Sequence, residues 1–311
     1  MIYFLQDKRK EEKRMVTGLI GCGRMGMCML QKMVEKGFEV VIYDKSGEAC
    51  DRAKAAGAHV AENPAEVGAG AQAVIISLPG PPQIEDALFG ERGLSTSLSA
   101  DHVIVDTSTV EPETTIKNAE RIKATGAAYL DCPVLGRPSA AGNWTLPAGG
   151  NPEDIEKVRN ILESFARRIV HVGETGSGNA LKLLNQMMFS VINGITSEVM
   201  AIAEKVGIDP KVFYDTVVDS GAATVSGLFR ETGRTILAED FENPAFTVDL
   251  LIKDTGLAMG MAERAGVPSL LAREVQYCNL IARSRGLGGQ DTSALYKVFK
   301  GYYKKEENNE A

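Results

Sequence analysis

Lys182 stands in the stretch "GSGNALKLLNQ" (176–186) among leucines and amides, with no acid within a turn to pair with it. Two roles are open to it. It is a solvated charge, as most helical lysines are, or an ammonium set in a cleft to move protons. Asn185 and Gln186 follow three and four residues on, so a helix would gather the two amides and the ammonium on one face. A second constellation lies near the start. Gly21-Cys22-Gly23-Arg24-Met25-Gly26 is a G-x-G-x-x-G whose glycines permit a tight turn and let backbone amides approach a pyrophosphate. Asp44 closes the next apolar run, at the distance where an acid hydrogen-bonds the adenosine ribose and repels a 2′-phosphate. That favours NAD over NADP, while Lys45 beside it pulls the other way; the plain alternative is that Asp44 only opens a turn.

The elements that would position these groups alternate up to about residue 175. "VTGLIG" (16–21), "FEVVIYD" (38–44), "AVIISLP" (73–79), "HVIVDTS" (102–108) and "AAYLDCP" (127–133) read as strands, and their near-continuous apolar character is that of a parallel sheet covered on both faces. Helical patterns such as 24–36, 46–56 and 112–124 lie between them, the last with Pro112 in its first turn. Met25, Met27, Met29 and Met33 on the first are core filler. Past Gly178 strand signals stop. Leu181, Leu184, Met188, Val191, Ile195, Val199, Ile202 and Val206 recur at three- and four-residue spacing, predicting one amphipathic helix over 180–206, about 40 Å long. Further helical patterns cover about 210–219, 225–238, 247–265, 269–285 and 291–302.

The fold class is therefore α/β: a Rossmann doubly wound parallel sheet followed by an all-α C-terminal domain, joined by the long helix. The expected parts are a charge-rich leader over 1–14, frayed or placed upstream of a start at Met15; an NAD(P)-binding Rossmann domain over 15–177; an all-α substrate and dimerisation domain over 178–302; and a polar tail over 303–311. A helical domain this short completes its core against a copy of itself, which predicts a homodimer or homotetramer.

The chain has 311 residues, 44% hydrophobic and 24% charged, with a net charge of −7 and no basic stripe, which points away from nucleic acid and toward small molecules. No apolar run approaches the roughly 20 residues of a membrane span. Five scattered cysteines without a Cys-x-x-Cys pair argue for a reducing, cytoplasmic setting, and three histidines beside apolar runs offer no metal cluster.

Four ordered segments resemble the β-hydroxyacid dehydrogenase family, which includes 3-hydroxyisobutyrate dehydrogenases and tartronate semialdehyde reductases. They are "GLIGCGRMG" (18–26), "DCPVLGRPSAAGNWTLPAGG" (131–150), "GSGNALKLLNQ" (176–186) and "FTVDLLIKDTGLA" (246–258); "DTSTVEP" (106–112) and "GQDTSAL" (289–295) are similar too. The resemblance implies that Lys182 is the catalytic lysine. As general base it would take the hydroxyl proton while hydride leaves carbon for the nicotinamide, and as general acid it would return it. Burial at the floor of an interdomain cleft would bring its pKa from about 10.4 toward neutrality. Asn185 and Gln186 would hold substrate; many relatives carry asparagine at the latter position, and tartronate semialdehyde reductases carry glutamine. Lys253 would reach toward the nicotinamide end, with Asp254 positioning the cluster. Ser108 and Thr109, at the carboxyl edge of the sheet, would lie near substrate and nicotinamide ribose, and Leu78 and Pro79 would border the cofactor.

The substrate loop departs from the family form, Ser-Gly-Gly, and reads Leu135-Gly136-Arg137. The serine donor is replaced by a guanidinium that either clamps a carboxylate with two parallel N–H groups or faces solvent. Trp144 nearby would narrow or cap the pocket. The implied activity is interconversion of a small β-hydroxyacid, of 3-hydroxyisobutyrate, glycerate or 4-hydroxybutyrate type, with its semialdehyde. The alternatives are an imine reductase-like NADPH oxidoreductase, whose relatives generally lack lysine at position 182, and a non-catalytic binding protein on the same fold.

Overall fold

The computed structural model describes residues 16–221, 224 and 226–301; the expected leader and polar tail lie outside the described residues. The first part alternates strands and helices: β1 (Thr17–Ile20), α1 (Arg24–Glu35), β2 (Val40–Tyr43), α2 (Gly47–Ala55), β3 (His59–Val60), α3 (Pro64–Gly70), β4 (Ala73–Ile76), α4 (Pro81–Phe89), β5 (Val103–Asp106), α5 (Pro112–Lys123), β6 (Ala128–Asp131), β7 (Trp144–Gly149), α6 (Pro152–Phe165) and β8 (Ala166–Gly173). The strands form one eight-stranded sheet in the order β3-β2-β1-β4-β5-β6-β7-β8. β1, β4 and β5 are buried at every position, as strands covered on both faces must be.

The sheet is not wholly parallel. β7 runs antiparallel to β6 at Asp131 and Gly149, then pairs in parallel with β8. Chain order reverses between the neighbours β1 and β4, which makes their carboxyl ends the switch point where open α/β sheets bind ligands. Met29 and Met33 are fully buried and Met25 and Met27 pack against the same core, the filler role read from their spacing.

The second part is helical: α7 (Ser177–Lys205), α8 (Pro210–Ser220), α9 (Gly227–Ala238), α10 (Val248–Arg264), α11 (Leu270–Ala282) and α12 (Leu295–Gly301). Side-chain caps start several of these, including Asp209 on α8, Ser226 on α9 and Thr247 on α10. Among the described residues no helix is long and apolar enough to cross a membrane.

Two compact units divide the described chain. The sheet unit runs to Ser108 and again over Pro112–Gly178; the helical unit runs from Asn179 onward and includes Thr109–Glu111. Within the helical unit, α7 turns the amphipathic expectation outward. Leu184, Met188, Ile195, Ile202 and Val206 are 50–66% exposed, while the buried face carries Gln186, Ser190, Asn193, Thr196 and Ser197. Hydrogen bonds stabilise that polar interior: Asn193 Nδ2 donates to the Thr292 carbonyl at 2.9 Å, and Thr232 Oγ1 donates to Asn193 Oδ1 at 3.1 Å.

Candidate active site

At the nucleotide end, Gly21 follows β1 with φ +97°, and a Cβ there would run into the Ser77 carbonyl at the end of β4. A Cβ on Gly26 would strike the Gly21 carbonyl, whereas the space beside Gly23 is open. Gly23 caps α1 without a side-chain acceptor, and no acid stands in the first turn. The result is a helix N-terminus built to receive an anion from outside. Asp44 Oδ2 accepts from Cys22 N at 2.7 Å and Oδ1 from Ser46 N at 2.8 Å. The carboxylate thus joins the turns after β1 and β2 and keeps further lone pairs for a ribose. These features fit a dinucleotide. Cys22 is inert: burial, then the Asp44 charge, pushes its thiol up to about 12. Arg24 and Lys45 are exposed, and Lys45 Nζ pairs with Asp86 on α4 at 2.8 Å.

At the next strand ends, Leu78 N donates to Ser108 Oγ at 3.0 Å, and Pro79 is exposed beside it. Ser108 is buried at the carboxyl edge of the sheet. In the 135–137 loop, Leu135 N bonds to the Thr145 carbonyl at 2.9 Å, and Gly136 takes φ +153°. Trp144 does not cap a pocket. It is fully buried against Phe165, with ring centroids 6.3 Å apart, and its indole N–H donates to the Arg137 carbonyl at 2.7 Å. The indole therefore braces the loop from beneath; its size and amphipathic ring suited a core site better than a pocket rim. Arg137 is half-buried.

In the helical unit, Gln186 is buried and its Nε2 donates to Asp254 Oδ2 at 2.8 Å; exposed Asn185 donates to Gln186 Oε1 at 3.4 Å. Asp254 is buried on α10, and Lys253 Nζ lies 3.0 Å from its other oxygen. Gln186 is therefore not a surface amide, and the Asp254 end of the Lys253–Asp254 pair lies out of solvent. Lys253 also donates to the Thr109 carbonyl at 3.2 Å. Burial holds the Lys182 ammonium below its ordinary pKa; the Asp254 charge opposes that shift and Lys253 adds to it. The arrangement suits an amine that must exchange a proton.

Sequence reasoning missed Asp131 and Asn179. Asp131 Oδ1 accepts from Gly176 N at 2.7 Å, just before α7, and a Cβ on Gly178 would collide with the Asp131 carbonyl. Asn179 Oδ1 accepts from Val110 N at 3.2 Å. A carboxylate ending a fully apolar strand was the available signal for Asp131. Among the described residues no group of three or more His, Cys, Asp and Glu could hold a metal ion.

The family model for the NAD-binding domain of 6-phosphogluconate dehydrogenase matches residues 16–173, and that for the NAD-binding domain of NADP-dependent 3-hydroxyisobutyrate dehydrogenase matches 176–299. The chain is 32% identical over 281 residues to the 3-sulfolactaldehyde reductase of Escherichia coli, covering 89% of this chain and 93% of that one. It is 30% identical over 291 residues to the 2-(hydroxymethyl)glutarate dehydrogenase of Eubacterium barkeri, covering 93% and 96%. The crystal structure of a 3-hydroxyisobutyrate dehydrogenase from Salmonella typhimurium aligns with a TM-score of 0.84 at 26% identity, over 92% of this chain and all, 100%, of that one.

Proposed function

From the premise that this chain belongs to the β-hydroxyacid dehydrogenase family, NAD(P)-dependent oxidoreductases acting on CH–OH groups, we propose that it interconverts a short carboxylate-bearing hydroxyacid and its semialdehyde, with Lys182 as the general acid and base. The observation that carries this reading is the buried Gln186–Asp254 hydrogen bond one helical turn from Lys182, with burial holding the ammonium below its ordinary pKa. When bound, the nicotinamide supplies the hydride acceptor or donor. In oxidation the Lys182 amine takes the hydroxyl proton; in reduction its ammonium delivers that proton to the carbonyl oxygen. Asn185 and Gln186 orient the substrate oxygen, Ser108 and the backbone of Leu135 and Gly136 line its binding region, and Arg137 holds the carboxylate through two parallel N–H donors.

On the cofactor side, Gly21 to Gly26 cradle the pyrophosphate, Asp44 binds the ribose hydroxyls and favours NAD, and Lys45, Leu78, Pro79, Thr109 and Lys253 flank the dinucleotide. Residues 15–177 form the NAD(P)-binding domain and 178–302 the substrate and dimerisation domain of a cytoplasmic enzyme. The relatives named for 3-sulfolactaldehyde, 3-hydroxyisobutyrate and L-threonate support a short anionic substrate without selecting one. The exposed apolar stripe of α7 supports a homodimer or homotetramer, since covering it with a second copy removes apolar surface from water.

The test is consumption of NADH or NADPH with a panel of short semialdehydes by the native protein and by Lys182→Ala. Removal of the proton-transfer group is expected to slow turnover by about 100- to 10,000-fold with cofactor affinity kept. Equal turnover by the two proteins would remove Lys182 from the chemistry.

A further inference from the structure

The end of β5 holds a carboxylate that the reaction does not use. Asp106 is fully buried, and an isolated charge there would cost several kcal/mol. Its Oδ1 accepts from Ser108 N at 2.9 Å, and its Oδ2 accepts from the Tyr129 hydroxyl at 2.7 Å. Burial still pushes its carboxyl up against these hydrogen bonds. Tyr129 on β6 is buried. On the other side, Ser108 Oγ accepts from Leu78 N at 3.0 Å, beyond the end of β4. One chain of hydrogen bonds therefore runs from β6 through the end of β5 to the turn leaving β4. Both strand-end turns, at Leu78 and at Ser108, are set by the same buried carboxylate.

These two turns lie at the carboxyl edge of the sheet, beside the β1–β4 switch point, where an open α/β sheet receives its ligand. The adenosine half is served by Asp44, which is bonded to other residues altogether. We infer that Asp106 is a positioning residue for the nicotinamide half of the dinucleotide: through Ser108 and Tyr129 it fixes the turns after β4 and β5 in the geometry that grips that half. The inference rests on the proposed dinucleotide site. It requires a carboxylate because two donors, Ser108 N at Oδ1 and Tyr129 Oη at Oδ2, converge on one side chain, and an amide would present its own N–H groups to one of them.

The experiment compares two ligands of the native full chain by titration: NADH, or NADPH if the chain prefers it, and ADP-ribose, which lacks nicotinamide. Asp106→Asn should weaken the whole dinucleotide about tenfold, ~1.4 kcal/mol, while ADP-ribose affinity changes less than about twofold. Tyr129→Phe, which deletes one hydroxyl, should act in the same direction and carries the test if Asp106→Asn does not fold. A merely structural role would move both ligands alike, and equal weakening of the two, or of neither, overturns the inference. Failure of the native protein to bind either ligand would instead overturn the dinucleotide site and this inference with it.

Discussion

Asp254→Asn isolates the charge that faces the Lys182 amine. The replacement keeps the side-chain shape and an oxygen to accept from Gln186 Nε2, now 2.8 Å from Oδ2, and removes one negative charge. Lys182 precedes Gln186 by one helical turn, which sets their Cβ atoms about 5–6 Å apart, and a separation on the order of 6 Å is taken for the charge pair. At an effective dielectric near 20, one charge pair at that distance is worth about 3 kcal/mol. Lys253, 3.0 Å from the same carboxylate, and water reduce this to about 1–2 kcal/mol. Asp254 opposes the burial that depresses the Lys182 pKa, so its loss drives the amine further toward the neutral form. The assay is the pH dependence of kcat in both directions. In alcohol oxidation the rising limb, where the amine must be neutral to accept a proton, should move to lower pH. In aldehyde reduction the falling limb should move down with it. Folding stability follows the same group: its folded pKa lies below its unfolded value, so between the two the unfolded chain binds more protons and stability rises with pH. In Asp254→Asn that window should open at lower pH. Limbs that stay in place, or move to higher pH, would refute an electrostatic link between Asp254 and Lys182.

Ile195→Glu places a carboxylate in the α7 stripe. It forgoes roughly 1 kcal/mol of apolar burial per copy and adds a desolvation cost, so the dissociation constant of the oligomer should rise at least about 100-fold, measured by light scattering on a sizing column. An unchanged mass would place the interface elsewhere. Asp44→Ala should weaken NAD more than NADP in binding titrations, since it removes both the ribose acceptor and the charge that repels a 2′-phosphate; an unchanged preference would take Asp44 out of the site. Arg137→Ala should raise KM for carboxylate substrates by about tenfold or more and leave neutral aldehydes nearly unaffected, and equal effects on both would mean that the guanidinium faces away.

Much of this organisation is legible in the residues because its signals are local. The G-x-G-x-x-G falls between an apolar strand and a helix, and Lys182 and Gln186 are one turn apart on any helix. β7 and β8 escaped notice for equally local reasons: β7 contains Pro147, and β8 carries the exposed Arg167 and Arg168, as a strand at the sheet edge can. Trp144 was misread because sequence proximity to a loop does not tell which side of the loop a side chain supports. The outward stripe of α7 is the deeper case. Periodicity locates an apolar face but does not say what covers it, and here the buried Asn193 is satisfied by Thr232 and Thr292, which are remote from it in the chain. Asp106 and Asp131 belong to the same class, since Tyr129 and Gly176, which bond to them, lie 23 and 45 residues away in the chain.

The inclusion of Thr109–Glu111 in the helical unit bears on how this protein can be cut apart. Lys253 holds the carbonyl of Thr109, Asn179 holds the amide of Val110, and Arg264 pairs with Glu111 at 3.6 Å. A fragment beginning at Asn179 would lack all three of those residues and forfeit these bonds. The C-terminal half is thus not a self-contained cassette: a recombinant version would have to bring that tripeptide along, spliced in or added in trans, to recover its native set of attachments.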